Sequence, residues 1–175
     1  MQSQHEPVEY HPRALYTSEE RRRRDASPWT LVQGVLAPVQ FAVFLISLAL
    51  VLRFLATGEG YAIATTSIVV KTLLLYTIMI TGSIWEKQVF GRYLFAPAFF
   101  WEDVVSMLVL ALHTAYIAAL LAGWLSAVPL MVLALLAYAS YVVNAAQFLW
   151  KLRQARLETD RTDQRHPPLA GELAR

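Results

Sequence analysis

Cysteine is absent from this 175-residue chain, which excludes disulfides, thiolate metal centres and cysteine nucleophiles. Charge is sparse too. Only 16% of residues are Asp, Glu, Lys or Arg, against about 25% in soluble domains. The sequence has no glycine-rich phosphate loop, no HExxH and no GxSxG. Of the four histidines, His113 alone lies in an apolar stretch, so a haem gripped by two intramembrane histidines is excluded. Residues 1–28 are polar and charged with no early apolar segment, so no secretory signal is expected.

What the chain has in abundance is apolar residues, 57% of the total, with a mean hydropathy of +0.42. They fall into four runs, at 31–55, 61–85, 104–124 and 128–150. Each is about 20 residues or longer, enough to cross a ~30 Å hydrocarbon core as a helix. The short connections after the first and third runs predict antiparallel neighbours. The expected fold is therefore an all-α integral membrane protein, a four-transmembrane-helix up-down bundle. Residues 1–28 read as a polar tail, 29–157 as the membrane domain, and 158–175, with Pro167-Pro168, as a disordered tail. Within the first tail, Thr17-Ser18-Glu19-Glu20 fits a capping box and predicts a short helix carrying Arg21 to Arg24.

The basic residues orient the bundle. Arg13 and Arg21 to Arg24 precede the first run, Lys87 and Arg92 lie in the second connection, and Lys151, Arg153, Arg156, Arg161 and Arg165 follow the fourth run. The first and third connections carry none, apart from Arg53 at a helix end. The positive-inside rule then predicts cytoplasmic N- and C-termini. All five tryptophans sit near run ends, as an aromatic belt requires. The pI near 9.0 reflects this flanking charge, so no nucleic-acid partner is expected; lipid is.

Polar residues inside the runs recur at helical spacing. Gln33, Gln40 and Ser47 share one face of the first helix. Lys71, Gly82 and Glu86 fall close together on the second, Glu102, Ser106 and His113 on the third, and Ser140, Asn144, Gln147 and Lys151 on the fourth. Polar groups in a membrane are costly and turn towards the bundle interior or a wet cavity. Hydrogen bonds between helices account for a Gln or Ser; Lys71 and His113, near mid-span, point further, to function. The second connection is unusually aromatic, with Phe90, Tyr93, Phe95, Phe99, Phe100 and Trp101 ahead of Glu102-Asp103. It reads as an interfacial segment able to dock a flat apolar ligand. Carboxylates, one His and one Lys around an apolar-aromatic cavity suit either acid–base catalysis or proton-coupled transport, and the residues leave both open.

Four segments carry a resemblance. They are Trp29-Thr30-Leu31-Val32-Gln33-Gly34-Val35-Leu36-Ala37-Pro38, Gly82-Ser83-Ile84-Trp85-Glu86-Lys87, Leu112-His113-Thr114-Ala115-Tyr116 and the long run from Val89 through Gly91-Arg92-Tyr93-Leu94-Phe95-Ala96-Pro97 to Trp101-Glu102-Asp103. Over roughly residues 11–157 the chain resembles the 3-vinyl (formerly 2-vinyl) bacteriochlorophyllide hydratases of phototrophic bacteria. The resemblance implies a hydro-lyase that adds water across the ring-A vinyl group of a chlorophyllide or bacteriochlorophyllide, giving a 1-hydroxyethyl group on the way to bacteriochlorophyll a. It implies no cofactor, since the magnesium belongs to the substrate, and a place in the bacterial cytoplasmic or photosynthetic membrane beside other pigment-making enzymes. On that basis Glu102 is expected as general acid, with Asp103 or Glu86 steering water or stabilising the cation. Phe100 and Trp101 are expected to stack on the macrocycle, Lys71 or Arg92 to bind its propionate, and Asn144 to line the substrate site. His113 is a candidate axial ligand to the substrate magnesium. The rival classes are a non-catalytic pigment-binding or assembly subunit, which would hold pigment without turnover, and a small transporter.

Overall fold

The computed structural model describes residues 15–165, with side chains as far as 157. Among these residues the chain is helical throughout: α1 (Ser18–Ala26), α2 (Pro28–Thr57), α3 (Tyr61–Phe90), α4 (Phe100–Ala122) and α5 (Ala127–Arg165). The capping box at the start of α1 is formed. The Thr17 N–H donates to Glu20 Oε2 at 2.8 Å, and the Glu20 N–H donates to Thr17 Oγ1 at 3.2 Å. Ser27 then ends α1 and caps α2, whose first residue is Pro28, a position where the missing N–H costs no helix bond.

The four remaining helices are long and apolar enough to cross a membrane. Even α4, with 23 residues, extends about 35 Å at 1.5 Å per residue. The turn between α2 and α3 is only 58–60, and Gly58 and Gly60 take φ of 74° and 85°. A side chain would be strained there, so glycine allows the sharp reversal. Cross-helix bonds fix the antiparallel register. Gln33 Nε2 donates to Thr81 Oγ1 at 2.8 Å and Ser47 meets Ser67 at 2.7 Å, joining α2 to α3. Asn144 Nδ2 donates to Ser106 Oγ at 2.9 Å, joining α5 to α4. The two hairpins meet along α2–α5 and α3–α4, closing the expected up-down bundle.

The distribution of polarity suits lipid rather than water. Leu31, Ile46, Ile80 and Leu121 are exposed, while Gln40, Ser47, Lys71, Thr72, Ser106 and His113 are buried. The main apolar core runs along the bundle axis around Val51, Ile68, Val109 and Met131. A second cluster, Tyr16, Val89 and Phe99 with Trp85, Phe90 and Phe148 around it, closes the end where α1 lies. Tyr16, counted with the polar tail from sequence, is thus part of the packed bundle.

Helix ends differ from the runs read in the sequence. α3 continues past Trp85 to Phe90 and α4 starts at Phe100, so the second connection shrinks to 91–99. Backbone hydrogen bonding continues wherever the local sequence permits, regardless of where hydropathy falls. For the same reason α5 passes 157 and reaches Arg165. The rest of the expected C-terminal tail, and residues 1–14, lie outside the described residues.

Candidate active site

Three carboxyl groups and one ammonium converge where α3 ends and α4 begins, beside α5. Glu86 comes from the last turn of α3, Glu102 and Asp103 from the first turn of α4, and Lys151 from α5; both Glu86 and the α4 pair are buried. The geometry depends on the connection 91–99. Gly91, at φ 79°, stops α3. Phe95 takes φ 59°, left-handed for a residue with a bulky side chain, which costs about 1–2 kcal/mol. This turns the Phe95 N–H onto Asp103 Oδ2 at 2.6 Å and the Ala96 N–H towards Glu86 Oε2 at a long 3.4 Å. The carboxyl groups of Glu86 and Asp103 lie within hydrogen-bonding reach of each other. Glu102 faces the other way, bonded to Lys151 Nζ at 2.6 Å. Lys151 also donates to the Ala98 carbonyl and lies 5.0 Å from the centre of the Phe99 ring. The cation therefore ties α5, the connection and α4 together. One turn deeper, the Ser106–Asn144 bond forms the next rung of the α4–α5 ladder.

A second polar cluster lies at mid-span. Lys71, fully buried, finds no hydrogen-bond acceptor among the described residues. Its ammonium is 4.0 Å from the centre of the Tyr141 ring and 5.5 Å from that of Tyr138, with Phe44 at 6.0 Å. Such an aromatic cage stabilises a desolvated cation by about 2 kcal/mol. His113, also fully buried, donates from Nδ1 to the Val109 carbonyl at 2.8 Å, and its Nε2 finds no partner among the described residues. Its ring is 5.9 Å from that of Tyr138. These contacts draw on α2, α3, α4 and α5 at one level.

Comparison with known proteins shows which chemistry this arrangement belongs to. The family model described as 2-vinyl bacteriochlorophyllide hydratase matches residues 16–154. The chain belongs to that family. It is 68% identical over 151 residues to a protein of Rhodobacter capsulatus named 2-vinyl bacteriochlorophyllide hydratase, covering 86% of this chain and 88% of that one. It is also 68% identical over 148 residues to the protein of the same name from Cereibacter sphaeroides, covering 85% and 92%. No solved structure matches.

In this hydratase-family chain the residues singled out from sequence separate into three groups. Glu86, Glu102 and Asp103 come together, with Asn144 one turn away on the same ladder. Lys71 and His113 both pack against Tyr138 at mid-span, away from the carboxyl groups: Glu102 and His113 are eleven residues apart on α4, about 16 Å. Phe100 and Trp101 are 44% and 69% exposed and turn outwards, and Arg92 is exposed on the connection. Among the described residues no group of three or more His, Cys, Asp or Glu could hold a metal ion. Sequence reasoning put Lys151 and Gln147 on a polar stripe but gave neither a role at the site. The stripe was the available signal. The partner of Lys151 is 49 residues away, beyond any local pattern.

Proposed function

We propose that this chain hydrates the ring-A vinyl group of a chlorophyllide or bacteriochlorophyllide, yielding a 1-hydroxyethyl group in bacteriochlorophyll synthesis. The observation that carries the mechanism is the buried Glu86–Asp103 carboxyl pair beneath the connection. Two carboxyl groups in one dry corner repel if both ionise, so such a pair holds a proton between them. That proton goes to the terminal vinyl carbon. The π electrons form the new C–H bond, leaving a cation on the carbon next to the macrocycle, which delocalises it. Water attacks that carbon and returns a proton to the pair. The atoms balance without a redox cofactor, and the magnesium is substrate.

The sequence reading gave the acid role to Glu102. Its contact with Lys151 engages that side chain, so Glu102 serves here as an anchor that ties α4 to α5. Arg92, exposed on the connection, is the residue we assign to the substrate's propionate. Exposed Phe100 and Trp101 offer flat surfaces at the rim for the macrocycle. Lys71 and His113 are enclosed at mid-span, so a macrocycle reaches His113 Nε2 only if the helices part. The distribution of Lys and Arg supports a cytoplasmic position for both termini and for the connection 91–99, in a bacterial inner or photosynthetic membrane, where other pigment enzymes work.

The test uses purified protein in lipid, with conversion of the vinyl substrate followed by absorbance. Glu86→Gln and Asp103→Asn are each expected to slow hydration by about 10²–10⁴-fold, the usual contribution of a general acid. Wild-type rates in both variants would remove the pair from the chemistry.

A further inference from the structure

Hydration has a second substrate, water, and three side-chain amides on α2 and α5 carry unpartnered polar atoms suited to it. Asn144 is 9% exposed, and its Oδ1 finds no donor among the described residues although Nδ2 is bonded to Ser106. Gln147 Oε1, one turn along α5, finds none either. On α2, Gln40 is 2% exposed, and neither its oxygen nor its nitrogen has a partner among the described residues. Leaving such groups unsatisfied costs about 1–3 kcal/mol each, so a cluster of them signals a ligand that satisfies several at once.

The helix register sets the three at adjoining levels of the bundle. The rings of Phe44 and Tyr141 are 5.0 Å apart, and Ser47 bonds the Tyr138 hydroxyl. One turn back along α2 from Phe44 is Gln40; one turn on along antiparallel α5 from Tyr141 is Asn144. Both steps run in the same direction, so Gln40 and Asn144 share a level. On the other side, Ser106 bonds Asn144, and one turn before Ser106 is Asp103, level with Gln147. The amides therefore run from the level of Asp103, at Gln147, one turn towards mid-span, at Asn144 and Gln40.

We infer that the amide groups of Gln40, Asn144 and Gln147 bind the water molecule that adds to the vinyl group. A single water, which needs two to four polar partners, meets three of the four unpartnered atoms of these amides. Its two O–H groups donate to Asn144 Oδ1 and Gln147 Oε1, and one lone pair accepts from Gln40 Nε2. The second lone pair is free to form the C–O bond, and the proton then released passes to the Glu86–Asp103 pair. The amides are neutral, so they hold water without competing for the proton.

This rests on the hydratase reading, and the experiment separates the two. Reactions are run in D2O, and two quantities are measured: hydrated product, and deuterium on the terminal vinyl carbon of recovered substrate. A cation that is not captured by water loses a proton and returns as labelled substrate. In Gln40→Leu, Asn144→Leu and Gln147→Met, product formation is expected to fall by about tenfold, the worth of one hydrogen bond to the reacting group. Deuterium returned per product formed is expected to rise by a similar factor. Gln147 is only half-buried, so its variant keeps the test available if a core substitution prevents folding. An unchanged ratio in the folded variants, whether both rates stay or fall together, overturns the water site. Wild-type behaviour of Glu86→Gln and Asp103→Asn would instead overturn the acid pair, with the ratio still judging the amides.

Discussion

Removing the Lys151 ammonium tests how the site is held. In Lys151→Met the side chain keeps most of its length and loses its charge. Two groups lose their donor: Glu102, whose side chain is 9% exposed, and the Ala98 carbonyl. A solvent-exposed ion pair contributes only about 0.2–1 kcal/mol. That range does not apply here, because the Lys151 side chain is itself 22% exposed and the contact is 2.6 Å. Breaking a fully buried pair costs about 3–5 kcal/mol. Partial access to water and rearrangement of the connection lower this, so a loss of about 2–3 kcal/mol is expected. Reversible unfolding in mixed micelles, followed by helical circular dichroism, measures it. Glu102→Gln in the same background removes the stranded carboxylate and should restore about 1–2 kcal/mol, leaving the Ala98 carbonyl as the residual deficit. Hydration should fall with the loosened connection in Lys151→Met and recover partly in the double variant. A Lys151→Met protein within about 0.5 kcal/mol of wild type, the spread of ordinary surface substitutions, would refute the clamp.

Lys71→Met should raise stability by about 0.5–1.5 kcal/mol, because the lost cation–π attraction of about 2 kcal/mol is more than offset by removing a charge that costs about 2.5–3.5 kcal/mol at mid-membrane. Its hydration rate should stay near wild type; lost substrate binding would show that Lys71 reaches the pigment. Arg92→Ala should raise the KM for the free acid by about tenfold, the value of one charge-assisted contact, and leave a propionate methyl ester unaffected; equal effects on both would exclude the carboxylate contact. Because the chain has no cysteine, single cysteines at Tyr93 and Glu59 report topology directly. In sealed inside-out vesicles an impermeant maleimide should label the first and spare the second, and the reverse would invert the proposed orientation.

The four spans and their polar faces were legible in the sequence because burial in lipid imposes a length and a period. Ser47, Lys71, Ser106 and His113 all turn inwards as their spacing requires. The capping box of α1 was equally local, set by residues three positions apart. The second connection was less so: hydropathy ended the second run at Trp85, whereas backbone hydrogen bonding carried α3 to Phe90. Exposure of both Phe100 and Trp101 was not readable either, since an aromatic run carries no period that says which faces its neighbours leave uncovered.

By itself, then, the sequence determined a membrane-spanning, cysteine-free helical chain, and its motifs resembled the family to which the chain belongs. Tertiary structure alone decided which carboxyl groups lie together. Glu86 and Asp103 share a corner because the left-handed turn at Phe95 aims two backbone N–H groups at them. Glu102 stands apart because Lys151, far along the chain, arrives beside it when α4 and α5 pack. Local periodicity specifies which face of a helix is polar. The pairing of one face with another depends on helix register and on a connection whose backbone no periodic pattern encodes.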